Sequence, residues 1–234
     1  MLSVAEALRA VLDHTRPLPP RRVLLTEALG CLLAETVTAD RDLPPFDKAL
    51  LDGFAVRSAD LGGNGPFELE VIEEITAGRV PTRPIGPGQC SAIMTGAPMP
   101  EGADAVVMVE DSQRHGNRVI LSPRKPVTPD AGRLTRGREM RAGEPLLGPG
   151  DRLDPVRLGL LASVGHTQPV VFPRPIVAIA STGDEIVPAD QTPGPGQIRN
   201  SNAIVLDALV QASHCLSEPL PIAPDEPGPL REIR

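Results

Sequence analysis

Between Ala55 and about Arg124 the chain is cut into short apolar runs, and none has the length or period of a helix. Phe67-Glu-Leu-Glu-Val-Ile72, Gln89-Cys-Ser-Ala-Ile-Met94, Ala105-Val-Val-Met-Val-Glu110 and Arg118-Val-Ile-Leu121 alternate with glycine and proline turns. That is the pattern of strands joined by tight connections such as Arg114-His-Gly-Asn117. The stretch specifies a small all-β module. Within it, Met94 to Asp104 is a polar loop stiffened by Pro98 and Pro100. Thr95-Gly96 can present a hydroxyl and a bare backbone amide to an anion; a stiff surface loop with no ligand is the alternative.

The approach to this module is Leu43 to Arg57. Pro44-Pro45 fixes φ and deters helix, so Phe46 and Asp47 leave in an extended, rigid direction. Asp52 follows five residues after Asp47, and Gly53 permits a conformation or a close approach that a Cβ forbids. Phe54 and Val56 then resume a period of two. An acid against a glycine at the mouth of a strand can hold a ligand or metal; equally, Asp52-Gly53 can be a plain turn.

On either side the texture is mixed. Ser3-Val-Ala-Glu6 reads as a capping box, and Val4, Ala7, Leu8, Val11 and Leu12 put one apolar face on a helix to about His14. Val23-Leu-Leu25 reads as a short strand, Thr26 to Gly30 as a helical turn closed by glycine, and Leu32 to Ala39 as extended chain. Arg133 to Gly150 alternates Arg133, Arg136, Arg138 and Arg141 with glycines, either a phosphate grip or a solvated hairpin. Asp154-Pro155 starts a helix that Gly165 ends, and Val170-Val-Phe172 reads as an edge strand. The expected organisation is one elongated α+β body, residues 1–45 and 125–173, from which the β module, residues 46–124, is inserted.

At Arg174 the pattern changes again. Pro175-Ile-Val-Ala-Ile-Ala180 is a continuous apolar run, as in a strand buried on both faces of a parallel sheet. It ends in Ser181-Thr-Gly-Asp-Glu185, at the carboxyl end of the strand where open α/β sheets bind ligands. Asp184 and Glu185 can hold Mg²⁺ together with phosphate oxygens and water, or form a solvated acidic loop. Ser201 or Asn202 is placed to cap a helix from Ala203 to Ala212. Leu220 to Ala223 reads as a second strand with Asp225-Glu226 at its carboxyl end, and Pro229 to Ile233 as a further helix start. One βαβ unit cannot cover both faces of a doubly wound sheet, so residues 174–234 are expected to be the incomplete start of such a domain and the chain the front of a longer protein. A swapped partner strand is the other explanation.

Composition excludes several functions. With 30 acidic and 23 basic residues the formal charge is −7, and there is no Trp or Tyr, which argues against nucleic acid as a partner. Three scattered cysteines, Cys31, Cys90 and Cys215, lack metal-ligand spacing and fit a reducing cytoplasm. No stretch approaches the roughly 20 apolar residues of a membrane span.

Four stretches, in order, resemble the molybdopterin molybdenumtransferase family, MoeA in bacteria and the gephyrin E domain in animals. They are Phe46-Asp-Lys-Ala-Leu-Leu-Asp-Gly-Phe-Ala55, Ile93-Met-Thr-Gly-Ala-Pro-Met-Pro-Glu-Gly-Ala-Asp-Ala-Val-Val107, Ser181-Thr-Gly-Asp-Glu-Ile-Val187 and Gln197-Ile-Arg-Asn-Ser-Asn202. The resemblance implies a multi-domain α+β protein with an inserted all-β module and the truncated start of a molybdopterin-binding, doubly wound α/β domain. It implies a homodimer, with molybdopterin adenylyltransferase as upstream partner. The implied activity is hydrolysis of adenylylated molybdopterin with Mg²⁺, release of AMP and insertion of molybdate; a non-catalytic scaffold of the gephyrin type is the alternative. Carried over by motif, the catalytic positions are Asp52, Thr95, Glu185 and Asp225, and the cofactor-binding positions Gly96, Ser181, Thr182, Gly183, Asp184, Ser201 and Asn202; no metal ligands are assigned. The pattern departs from the family at Lys48-Ala-Leu-Leu51, where Asn-Ser-Ala-Met is usual, and at Asn200, where Asp is common. Because acids useful to a polyanionic substrate come from both parts of the chain, the expected site is a cleft shared between domains, with two protomers contributing.

Overall fold

A computed structural model describes residues 2–63 and 65–225, and the chain divides into two compact units, 38–146 and 1–37 with 147–234. In the first of these, six strands form one sheet in the order Ala105–Met108, Gly53–Val56, Gln89–Ile93, Phe67–Ile75, Arg118–Leu121, Ser112–His115. Every pairing is antiparallel except that of Phe67–Ile75 with Gln89–Ile93. Apart from short 3₁₀ turns the unit has no helix among its described residues, as the punctuation of short runs predicts.

Both faces of this sheet are covered. Phe54, Val56, Leu69, Val71, Cys90, Val107, Val119 and Leu121 pack on one face; Ala55, Ile75, Ile93 and Val106 pack on the other with Ala49, Ile85 and Ala97. Strict alternation would put Val71 and Ile75 on the same face. A register shift between Val71 and Glu73 moves the strand by one residue, so that a single strand supplies both cores. Gly53 is needed for close approach: a Cβ there would lie 1.9 Å from the Val107 carbonyl oxygen on the neighbouring strand.

Residues 38–45 and 125–146 belong with this unit, where the sequence reading grouped them with the first helix. Arg133–Leu134 pairs with Lys48–Ala49, the Val106 amide donates to the Ala131 carbonyl (2.8 Å), and Val127 and Ala131 pack against the core. Hydrophobic contact and backbone pairing across about 85 residues of chain decide this, and local pattern carries no trace of it. Two of the four alternating arginines form ties within the unit. Arg133 pairs with Asp130 and Asp47, and Arg136 with Asp42, while Arg138 and Arg141 are exposed.

In the other unit, α1 (Val4–His14) has the expected capping box: Ser3 Oγ accepts from the Glu6 amide and Glu6 Oε2 accepts from the Ser3 amide. None of its residues is buried. A three-stranded antiparallel sheet places Val170–Phe172 between Arg21–Arg22 and Leu32–Leu33. Val170–Phe172 is therefore central, not an edge, and the first strand lies two residues before Val23. The helix α2 (Pro155–Ser163) is capped by Asp154, whose Oδ1 accepts from the Arg157 amide at 2.8 Å. Leu33, Leu153, Leu161 and Val171 are fully buried and form the centre of this part.

Ile176–Ile179 runs parallel to Leu216–Pro219, with α3 (Ser201–Ala212) as the crossover, and Ile186–Val187 runs parallel to Ile198–Arg199. Three expectations are corrected here. The apolar run is not a strand buried on both faces: only Ile179 is buried, and Ile176 is 65% exposed, because two strands and one helix leave most of their apolar surface uncovered. The second strand lies at Leu216–Pro219, not Leu220–Ala223, because Leu216–Pro219 is the stretch in register with Ile176–Ile179. The cap of α3 is Asn200, whose Oδ1 accepts from the Ala203 amide, so Ser201 and Asn202 are helical residues of the first turn. Glu226 and the helix expected at Pro229–Ile233 lie outside the described residues.

Candidate functional site

Two groups of the residues singled out above form, one in each unit. In the β unit the first is built on Asp52. The bend after Leu51 leaves the carboxylate exposed at the start of the Gly53 strand, and the Asp52 carbonyl accepts from the Val109 amide. Asp52 Oδ1 receives two donors from one residue, the Thr95 amide and the Thr95 hydroxyl, both at 2.7 Å. The Thr95 amide, then its hydroxyl, hold the Asp52 carboxyl below its ordinary range, because donors aimed at the charged form favour it. The group is an anion at neutral pH with its direction set from outside its own backbone.

This arrangement changes the role read from the loop. Thr95 spends its hydroxyl and its amide on Asp52, and the Gly96 amide donates to the Ala49 carbonyl at 2.8 Å. Thr95-Gly96 therefore does not offer these donors to an anion; it offers Asp52. Gly96 is needed for its φ of +81°, a left-handed turn residue that lets Thr95 fold back. Asp47 acts elsewhere: its Oδ1 accepts from the Arg136 amide at 2.7 Å and its Oδ2 lies 3.4 Å from an Arg133 nitrogen, tying the arginine loop down.

The second group surrounds Gly183. Thr182 bridges to Ala223 in parallel, the Gly183 amide donates to the Ala223 carbonyl, and the Ala223 amide to the Ser181 carbonyl. These bonds carry Asp225 to Asp184, whose Oδ1 accepts from the Asp225 amide at 3.3 Å. Gly183 has a φ of +140°, and a Cβ on it would lie 2.7 Å from Glu185 Oε2, so the turn itself brings the Glu185 carboxylate close. Ser181 donates its hydroxyl to Asn200 Oδ1 at 3.2 Å. Asn200 thereby joins the carboxyl end of the strand to the start of α3 through a single oxygen. An open cleft of about 800 Å³ runs past Gly183, Asp184, Asn200, Ala203 and Ile204.

Asn200 is the residue the sequence reading missed. Asn is a favoured N-cap, but three polar residues in a row, Asn200, Ser201 and Asn202, all satisfy that signal. Only the paired strand ending at Arg199 selects the first. Ser201 and Asn202 stand exposed in the first turn of α3. Among the described residues there is no group of three or more His, Cys, Asp or Glu side chains able to hold a metal, and no helix long and apolar enough to cross a membrane.

A family model described as the MoeA N-terminal region (domain I and II) matches residues 2–165. The chain belongs to the MoeA family. It is similar to the molybdopterin molybdenumtransferases of Staphylococcus aureus, at 34% identity, and of Staphylococcus epidermidis, at 37%, in each case over 213 residues, 90% of this chain and 50% of the relative. Among solved structures it is similar to a molybdopterin biosynthesis moeA protein from Pyrococcus horikoshii OT3, with a TM-score of 0.82 and 31% identity over 99% of this chain and 62% of that one. The chain thus spans about half the length of the curated relatives it matches. Family membership confirms the resemblance read from the four stretches.

Proposed function

We propose that the chain acts in molybdenum cofactor biosynthesis, as part of a molybdopterin molybdenumtransferase that inserts molybdate into adenylylated molybdopterin with release of AMP. The observation that carries this reading is the match of 90% of the chain to relatives of that name. The scaffold alternative is not favoured, since the relatives bear an enzyme's name. The roles follow from chemistry. Asp52, ionised and aimed by Thr95, acts as a base for water or as a charge that orients it. Asp184, Glu185 and Asp225 gather negative charge at the Gly183 turn, which repels a polyanionic substrate unless a cation intervenes. The donor set fits Mg²⁺ held mainly by phosphate oxygens and water, with Asp184 and Glu185 as its carboxylates. That ion would neutralise phosphate charge when bound. Thr182, exposed on the turn, offers a hydroxyl beside it, while the Ser181 hydroxyl is already given to Asn200. A homodimer, supply of the adenylate by molybdopterin adenylyltransferase, and a cytoplasmic setting complete the proposal.

The test is direct. Purified chain is incubated with molybdopterin adenylate, molybdate and magnesium chloride, and AMP is followed by reversed-phase chromatography. Time-dependent AMP, abolished in Asp52→Ala, is the expected result. AMP no faster than in buffer, with no saturable binding of the adenylate, overturns it.

A further inference from the structure

A second hollow, of about 420 Å³, opens in the unit made of residues 1–37 and 147–234, away from the Gly183 turn in sequence and lined by none of its residues. Its walls include Arg21, Arg22, Glu27, Cys31, Pro173 and Arg174. Unpaired arginines are common on a surface; here two of them, Arg21 and Arg174, line the same concavity. Arginines elsewhere in the chain, such as Arg57, Arg114, Arg133 and Arg157, have a carboxylate within 4.0 Å. Among the described residues none is found that close to Arg21, Arg22 or Arg174.

The three are held differently. Arg174 is clamped: its Nε donates to the His214 carbonyl and its Nη2 to the Cys215 carbonyl, both at 2.9 Å. Gly30, with φ +78°, lies against its stem, where a Cβ would be 3.5 Å from Cδ. The guanidinium is thus fixed before any ligand arrives, with Nη1 uncommitted, and little side-chain entropy remains to be lost. Arg22 is turned to the Gln168 carbonyl at 2.7 Å. Arg21 stands opposite Val171, whose other partner is Leu33. Strand alternation therefore puts Arg21 on the face that also carries Cys31 and Pro173, which line the hollow, and Arg22 on the opposite one; Arg21 has no side-chain partner among the described residues.

We propose that this hollow binds a phosphorylated small molecule, its phosphoryl group between Arg21 and Arg174 and a hydroxyl toward Glu27. Guanidinium forks match phosphoryl oxygens in pairs. The volume is that of a small metabolite site, larger than a bare anion requires. Glu27, which only caps the Leu24 amide at 3.4 Å, repels a second anionic group and accepts from a hydroxyl, so the site selects one phosphate on a polyol-like body.

Ribose 5-phosphate, inorganic phosphate and ribose are titrated into the full chain by calorimetry at low ionic strength. Saturable one-to-one binding of ribose 5-phosphate, weaker binding of phosphate and none of ribose are expected. Arg21→Ala should weaken ribose 5-phosphate at least tenfold, while Arg9→Ala, an equal charge change on α1, should not alter it. Glu27→Gln should tighten inorganic phosphate severalfold, a readout that a structural role for Arg21 would not produce. Absence of saturable binding by the phosphates, equal effects of the two arginine variants, or weaker phosphate binding in Glu27→Gln overturns the proposal.

Discussion

Substituting Gly53 by Ala tests the close approach on which the Asp52 group is built. The added Cβ would sit 1.9 Å from the Val107 carbonyl oxygen, 2.9 Å from its carbon and 3.1 Å from Met108 Cα. All three are backbone atoms of a paired strand, so no side chain can swing aside, and the strands must part by more than about 1 Å to reach ordinary contact distance. That movement strains ladder hydrogen bonds between Gly53–Val56 and Ala105–Met108, each contributing about 1 kcal/mol. It also shifts Phe54 and Val107 in a close-packed core, where overpacking costs about 1–3 kcal/mol. A loss of about 3 kcal/mol follows. The control is Gly78→Ala, where the new Cβ meets nothing within 4 Å and only the positive φ of +83° opposes it, a cost of about 1 kcal/mol. Because the chain has no Trp or Tyr, urea unfolding is followed by far-ultraviolet circular dichroism. With a slope near 2 kcal/mol/M, Gly53→Ala should lower the midpoint by about 1.5 M and Gly78→Ala by about 0.5 M. Equal shifts for the two variants would refute the reasoning that backbone proximity, and not glycine's freedom, keeps residue 53 bare.

Thr95→Val removes the hydroxyl donor and keeps the amide, so the Asp52 pKa should rise part of the way to its ordinary value. Carboxyl-carbon NMR titration measures it, and an unmoved pKa would show that the hydroxyl bond does not hold the charge. Glu35 behaves as a second anchor. Burial opposes its ionisation, but the Val170 amide and His166 Nε2, each at 2.7 Å from Oε1, outweigh that and lower its pKa. A carboxyl depressed in the folded state adds stability that is complete above its unfolded value of about 4.3 and fades as pH falls through the folded value. Glu35→Gln should therefore be less stable than the parent by a constant amount above about pH 5, and the gap should close on further acidification. A gap independent of pH down to 2 would rule out the charged form as its source.

Much of this protein is legible in its sequence. The Ser3 and Asp154 caps are local contests for a few orphan amides, settled by residues three apart, and both stand as read. The all-β character of the central unit follows from runs too short to be helices. The family itself was legible in four stretches of chain. What local pattern could not carry was partnership. Val170–Phe172 looks like an edge and is central because two distant dipeptides, Arg21–Arg22 and Leu32–Leu33, pair with it. Thr95 looks like a donor to a ligand and is instead the fixture of Asp52, 43 residues away.

The chain's own order of residues determined which segments bend and where α1 and α2 begin, since those depend on neighbours a few positions off. Tertiary structure alone decided which carboxylate is aimed, which amides are already engaged and which strand lies inside a sheet. A hydrogen-bonding group is assigned its partner by whatever folding brings within 3 Å, and that choice is made across the whole unit at once.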